Sequence, residues 1–314
     1  AMPTNGKIPP GYPEQAANLA AHEMHKYSDY EGKIPTDFSD DLNRRLLHGY
    51  AAATSYADAC FGRIMDTLEE TGLAENTIVV LWGDHGFKLG DHSTWVKHTN
   101  FECDTRVPLI VRDPRIDGGK STPRLVELID LYPTLCDLTG IPTPSHCQGR
   151  SFTGLLTDPE AGHRIDAYST YPAWKSLGHS IRIGNFRYTE WHEDETGEVI
   201  AKVLTNLKDD PGEETNVIDE SKFAGQLAVA QKRLALRISQ STEAKAKSPV
   251  PETAPISSTI TIDPSKANLR QTIDGFGGSI AFWGTHADDE ALRAAIKDLD
   301  VSIVRAQGEV SPTG

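Results

Sequence analysis

The chain has 314 residues, 38% hydrophobic and 24% charged, a balance ordinary for folded protein and long enough for roughly two domains. Its formal net charge of -14 argues against nucleic acid or an anionic membrane as partner, and no apolar run is long enough to span a bilayer. The four cysteines form no Cys-x-x-Cys pair, which argues against a zinc or thioredoxin-like site. Their spacing leaves open either a Cys136–Cys147 disulfide or free buried thiols.

Residues 1–38 are rich in Pro, Gly and polar side chains and read as irregular surface chain. Ala1-Met2-Pro3-Thr4 lacks the charged start and apolar core of a signal peptide. Ser39 is a fitting N-cap for a long helix to about Thr71, with Gly72 as its stop. Leu42, Leu46, Tyr50, Ala53, Ala57, Phe61, Ile64 and Leu68 recur at helical spacing and are expected to pack in the core. The run Ile78 to Trp82 suits a strand buried on both faces of a parallel sheet, ended by Gly83. Val107–Val111 reads as a second buried strand, and Arg124–Thr139 as a helix with Pro133 near a break.

From Tyr168 to Leu207 the pattern changes to short strands with short connections, at 180–183, 186–191 and 202–206, as in an antiparallel sheet. Arg182, Arg187, Trp191 and His192 fit either a cleft wall or, more simply, the polar side of a half-exposed sheet. The acidic run Asp209-Asp210-Pro211-Gly212-Glu213-Glu214 lacks the spacing of a calcium loop and reads as a solvated turn. A last helix is expected from Ser221 to about Gln240. Residues 241–256, rich in Ser, Pro and Ala, then read as a linker.

The chemistry concentrates just after the first strand. In open α/β sheets ligands bind beyond the carboxyl ends of strands, which is where Asp84 and His85 emerge. A carboxylate beside an imidazole suits a divalent cation. Gly86 and Gly90 permit a tight loop that returns His92 and Lys97 towards the strand end, so that cationic groups face an anion. The blander alternative, a turn-capping aspartate with loop histidines and a solvated lysine, is outweighed by the joint occurrence of all these features.

Gly83-Asp84-His85-Gly86-Phe87-Lys88-Leu89-Gly90-Asp91-His92-Ser93-Thr94-Trp95-Val96-Lys97, then Asn100-Phe101-Glu102 and Arg106-Val107-Pro108-Leu109-Ile110, resembles the type I sulfatases of the alkaline-phosphatase superfamily, nearest the iduronate-2-sulfatase-like branch. The resemblance extends over about residues 28–240. It implies an α/β fold, an alkaline-phosphatase-like sandwich followed by an antiparallel sheet and helix. It also implies that Asp84 and His85 ligate calcium and that Lys97 contacts sulfate, with His98 and His92 as further candidates for substrate contact or proton transfer. A sulfated glycan is the implied substrate, and a periplasmic or secreted location the implied setting.

In that family a formylglycine hydrate attacks sulfur, made from the Cys or Ser of a Cys/Ser-x-Pro/Ala-x-Arg motif. Cys60, Cys103, Cys136 and Cys147 are each followed by other residues, so the motif is absent from this sequence, as are the paired N-terminal aspartates of the family. Residues 1–240 are therefore expected to be a sulfatase-like domain lacking its N-terminal half, that half being the missing partner of the site. With two of calcium's six to eight ligands, the chain alone is expected to bind the ion weakly.

Gln271-Thr272-Ile273-Asp274-Gly275-Phe276-Gly277-Gly278-Ser279 with Ala281-Phe282-Trp283 resembles the opening of a glycoside hydrolase family 30 domain. Residues 257–314 are expected to start an incomplete (β/α)₈ barrel, with a helix at about 289–299 and a strand at 301–305. Glu290 and Glu309 come too early to be its catalytic carboxylates. A bifunctional sulfatase-glycosidase follows from the two resemblances. The competing readings are a non-catalytic sulfated-glycan binder and a phosphoester or phosphonate hydrolase of the same superfamily.

Overall fold

A computed structural model of the chain describes residues 9–16, 39–173, 175–247, 277–281 and 303–307. The chain divides into two compact units, Ala1–Val250 and Pro251–Gly314.

In the first unit, helix α1 runs Asp40–Glu70, and the Ser39 side chain accepts a hydrogen bond from the Leu42 amide as its N-cap. Asp40 and Asp41 in the first turn complement the helix dipole, and Gly72 at φ 70° follows the C-cap Thr71. The bounds match the sequence expectation, but the packing does not. No α1 residue is fully buried, and Ile64 is 58% exposed. Among the described residues, the packing partners of the stripe lie at its N-terminal part. Leu46 and Leu47 pack on Trp95 and Val96, Tyr50 stacks on Phe87 at 5.4 Å, and the Trp95 indole donates to Asn43 Oδ1 at 2.8 Å.

These contacts seat α1 on a hairpin of β2 (Lys88–Leu89) and β3 (Trp95–Val96). Before it comes β1 (Val79–Trp82); after it come the short helix α2 (Glu102–Thr105) and β4 (Leu109–Arg112). The expected parallel sheet is corrected: β1 pairs with β4 antiparallel, Val79 opposite Arg112 and Trp82 opposite Leu109. The connection doubles back on β1 instead of crossing over, as the Gly83 amide donating to the Pro108 carbonyl at 3.1 Å shows. Nor are both faces covered among the described residues, since Trp82 is 50% and Ile110 59% exposed.

Helix α3 spans Leu131–Thr139 and ends at Gly140 in the left-handed region. The expected start at Arg124 is too early. Pro133 sits in the first turn of α3, where its missing amide costs nothing, and in a longer helix its ring would collide with the Ile129 carbonyl. A short helix α4 (Thr153–Thr157) follows.

A four-stranded antiparallel meander then runs in the order β5 (Asp166–Pro172), β6 (Ser176–Ile183), β7 (Phe186–Glu193), β8 (Val199–Asn206). One register row across it reads Tyr168, Ile181, Tyr188, Leu204. Helix α5 (Ala224–Lys247) packs on that row through Leu227, Ala230, Leu234 and Ile238, a stripe at helical spacing. Burying a side chain such as Leu234 completely contributes about 2 kcal/mol. Because side chains alternate across a strand, Arg182, Arg187, Thr189, Trp191 and Val203 occupy the opposite face. Trp191 and Val203 there form a cluster with Phe101 and Ala16. The sheet thus grips α5 on one side and the segment around α2 on the other.

Helix α5 continues to Lys247, so the linker expected from residue 241 begins inside the helix. Cys136 and Cys147 are free thiols. In the second unit, β9 (Gly277–Ala281) and β10 (Ile303–Gln307) pair in parallel, Gly277 opposite Ile303. The expected helix at 289–299, Trp283, Glu290 and Glu309 lie outside the described residues. Two strands are described there, and no barrel is evident among the described residues.

Candidate functional site

Asp84, His85, Lys97 and His98 line one open cleft of about 1860 Å³ in the first unit, together with Glu102, Arg106, Glu127, Tyr168, Tyr171 and Arg182 among others. Asp84 and His85 stand at the carboxyl end of β1. The Asp84 side chain is 84% exposed, and its Oδ1 accepts from the His85 amide at 3.0 Å. His85 Nδ1 donates to the Gly86 carbonyl at 2.7 Å, which leaves Nε2 on the far side of the ring, 3.6 Å from Asp84 Oδ1. That arrangement sets one oxygen and one nitrogen ligand atom 3.6 Å apart. It fits two positions of a divalent-cation ligand set. Among the described residues no third His, Cys, Asp or Glu joins them in a group able to hold a metal.

The backbone that carries Lys97 and His98 is held in sparsely populated conformations. His92 (φ 53°), Val96 (φ 69°) and His98 (φ 89°) all lie in the left-handed region, a strain that persists only where the surroundings over-determine it. The surroundings are visible. Trp95 and Val96 are buried in the hairpin cluster, and the His98 ring packs against Tyr171 of β5 at 5.4 Å. Lys97 and His98 are half-buried in consequence.

His92 is placed differently from the other four candidates. It is 1% exposed and stacked on Phe101 at 4.2 Å, and it does not line the cleft. Its position favours packing over substrate contact.

Asp104, which the sequence reading passed over, ties these pieces together. Its carboxylate accepts from Lys88 Nζ at 2.5 Å and from Thr99 Oγ1, while its carbonyl accepts from the Gly86 amide at 2.7 Å. The loop after β1 and the segment after Lys97 are therefore pinned to one residue. Lys88 is fully buried, and the Asp104 side chain is 3% exposed. Gly86 must lack a side chain, because a Cβ there would sit 1.8 Å from the Cys103 carbonyl oxygen. Lys88 flanked by Phe87 and Leu89 was the available sequence signal for a buried cation, but nothing local names its partner sixteen positions on.

Behind α2 lies a second charged group. Glu102 pairs with both Arg182 and Arg187, and Arg187 Nε is 3.3 Å from Glu213, whose carboxylate also accepts from the Glu102 amide at 2.5 Å. The half-exposed sheet expected for Arg182 and Arg187 is corrected to an ion cluster beneath α2. Trp191 is core and His192 pairs with Glu190, so neither lines the cleft. The expected solvated turn at 209–214 is corrected too, since Glu213 is 2% exposed. Burial pushes the Glu213 carboxyl up to about 7, against the pull of Arg187.

Because the folded chain then keeps a proton that the unfolded chain releases above about pH 4.5, this group's contribution to stability is complete below that pH and is lost as pH rises through 7. Glu213→Gln is expected to flatten the fall in melting temperature between pH 5 and 7.5. An unchanged pH dependence would show that Glu213 titrates normally.

On the other side of the cleft, Asp130 receives hydrogen bonds from Arg164 and from the Arg150 and Glu127 amides. Burial pushes its carboxyl up, but these bonds outweigh it and hold the group below the usual carboxylate range. Glu127 in turn accepts from Arg237 of α5 at 2.5 and 2.6 Å and from the Tyr168 amide at 2.7 Å, joining α5 to β5 at the cleft wall.

The family description Sulfatase matches residues 15–141, and the description N-sulphoglucosamine sulphohydrolase, C-terminal, matches residues 90–241. Residues 15–241 are thus similar throughout to sulfatases, by two overlapping family matches. The chain is 31% identical to the iduronate 2-sulfatase of Mus musculus, over 62% of this chain and 47% of that protein, and so spans less than half of that relative. It shares its fold with a solved 2-O GAG sulfatase, TM-score 0.66 at 24% identity, over 79% of this chain and 53% of the other. It is also similar to the phosphonate monoester hydrolase of Agrobacterium radiobacter, TM-score 0.51 at 28% identity, over 58% of this chain and 39% of the other. The matched span contains every cleft residue named above, whereas β9 and β10 lie beyond it.

Proposed function

We propose that the cleft is the metal- and oxyanion-binding part of a sulfuric ester hydrolase that acts on a sulfated glycan. The observation that carries this reading is that Asp84, His85, Lys97 and His98 line the same cleft, in a chain whose residues 15–141 match the sulfatase family. Asp84 and His85 would hold a divalent cation, calcium on the family resemblance, which when bound supplies charge stabilisation at the sulfuryl oxygens. Lys97 places an ammonium where a tetrahedral oxyanion gains charge. His98, held against Tyr171, stands beside it to contact the sugar or to pass a proton to the departing oxygen. The strained backbone at Val96 and His98 fixes both side chains before substrate arrives, so little ordering remains at the reaction itself.

The nucleophile belongs to this proposal as a Cys/Ser-x-Pro/Ala-x-Arg segment preceding the present residues in a longer polypeptide. A secreted or periplasmic setting is part of the same reading. A tethered glycosidase module in the second unit extends it, supported by the sequence of residues 271–283 and the parallel pairing of β9 with β10. The likeness to a phosphonate monoester hydrolase keeps a second oxyanion class in play.

The test is a turnover assay of the complete polypeptide on a sulfated oligosaccharide, a phosphate monoester and a phosphonate monoester. Sulfate release is expected to be fastest, and the 314-residue chain alone is expected to release none. Faster cleavage of the phosphonate would overturn the sulfatase assignment, and turnover by the chain alone would overturn the need for a preceding nucleophile.

A further inference from the structure

Arg106 stands beside the metal-ligand pair and is used by none of the roles above. It is exposed, lines the same cleft as Asp84, His85 and Lys97, and its guanidinium has no hydrogen bond or ion pair among the described residues. Other arginines of the cleft wall are committed. Arg182 and Arg187 hold Glu102, Arg112 reaches the Ala74 carbonyl, Arg124 holds Glu160, and Arg237 holds Glu127.

The position of Arg106 is fixed by backbone bonds on either side of it. The Gly86 amide donates to the Asp104 carbonyl at 2.7 Å and the Gly83 amide to the Pro108 carbonyl at 3.1 Å, so residues 104–108 run antiparallel beside residues 83–86. Arg106 lies at the centre of that stretch and Asp84-His85 at the centre of its partner. Close packing holds the two together, since a Cβ on Gly83 would already meet Val107 and Pro108 at 3.3 Å. The Arg106 amide is itself tied to the Glu102 carbonyl at 2.8 Å, which anchors it to the ion cluster under α2.

A planar guanidinium presents a fork of donors that matches the paired oxygens of a carboxylate or a sulfate. We propose that Arg106 is a specificity residue that binds a second anionic group of the substrate, a carboxylate or a further sulfate, next to the sulfate engaged by Lys97 and the cation. This inference rests on the sulfate-site reading given above.

Calorimetric binding to the calcium-loaded chain separates the two. The probes are glucose 6-sulfate with one anion, glucose 2,6-disulfate with two sulfates, and glucuronic acid 2-sulfate with a sulfate and a carboxylate. Wild type is expected to bind at least one doubly charged probe about 10-fold more tightly than glucose 6-sulfate, as one charge-assisted pair provides. Arg106→Ala is expected to erase that gap while leaving glucose 6-sulfate within about 2-fold, and Arg106→Lys to restore part of it. Lys97→Ala is expected to weaken all three. Whichever doubly charged probe shows the larger gap identifies the second group. Equal affinity of wild type for all three probes, or an equal loss on all three in Arg106→Ala, would overturn the second-anion site alone. No binding of any probe to wild type would overturn the sulfate-site reading and this one with it.

Discussion

Lys97→Ala in the complete polypeptide is expected to lower kcat/KM for sulfate-ester hydrolysis by about 100- to 1000-fold, the usual effect of removing one charge-stabilising group from a preorganised site. Most of the loss should fall on kcat, because the ammonium matters most as negative charge accumulates on the sulfuryl oxygens. Lys97→Arg is expected to recover little. The guanidinium is larger and planar, and the segment is held on either side by the buried Val96 and by His98 packed on Tyr171. Stability should barely change, since Lys97 is only half-buried and the neighbouring packing is carried by Trp95 and Val96. A variant with wild-type kcat/KM would remove Lys97 from the chemistry.

Asp104→Ala should act on folding first. The substitution strands a fully buried Lys88 ammonium and removes the acceptor of Thr99 Oγ1, a loss of about 3–5 kcal/mol for a broken buried pair. In a unit of this size the melting temperature should fall by roughly 10 °C. The double variant Lys88→Met/Asp104→Leu keeps the apolar volume without a stranded charge and is expected to regain most of that stability. It should not regain sulfate affinity, because Thr99 would no longer be tied to residue 104, whose carbonyl holds the loop that carries Asp84 and His85. Full recovery of affinity in the double variant would show that Asp104 stabilises the fold without positioning the site.

Features written into neighbouring residues were legible in the sequence. Ser39 and Gly72 bound α1 because capping and the left-handed stop are local chemistry. The meander was readable because short connections force antiparallel neighbours, and the Asp84-His85 pair because it follows directly on a strand-ending glycine. What depends on distant residues was not legible. The antiparallel pairing of β1 with β4 is decided by how the chain from Gly83 to Pro108 folds back, which no periodicity encodes. Lys88 and Asp104 find each other across a hairpin, and Glu213 meets Arg187 and the Glu102 amide from far along the chain. For the same reason an acidic run that looks solvated buries one member. The α1 stripe has helical spacing, yet spacing says only which face is apolar, not what covers it.

The central claim is that Asp84, His85 and Lys97 form one site for a divalent cation and an oxyanion. Calorimetric titration of sulfate into the chain, with saturating calcium and again in chelator, tests it most directly. The expected result is weak binding that requires calcium, is lost in Asp84→Asn/His85→Ala, and is lost in Lys97→Ala even with calcium present. Sulfate binding that is indifferent to calcium and to Lys97 would contradict it.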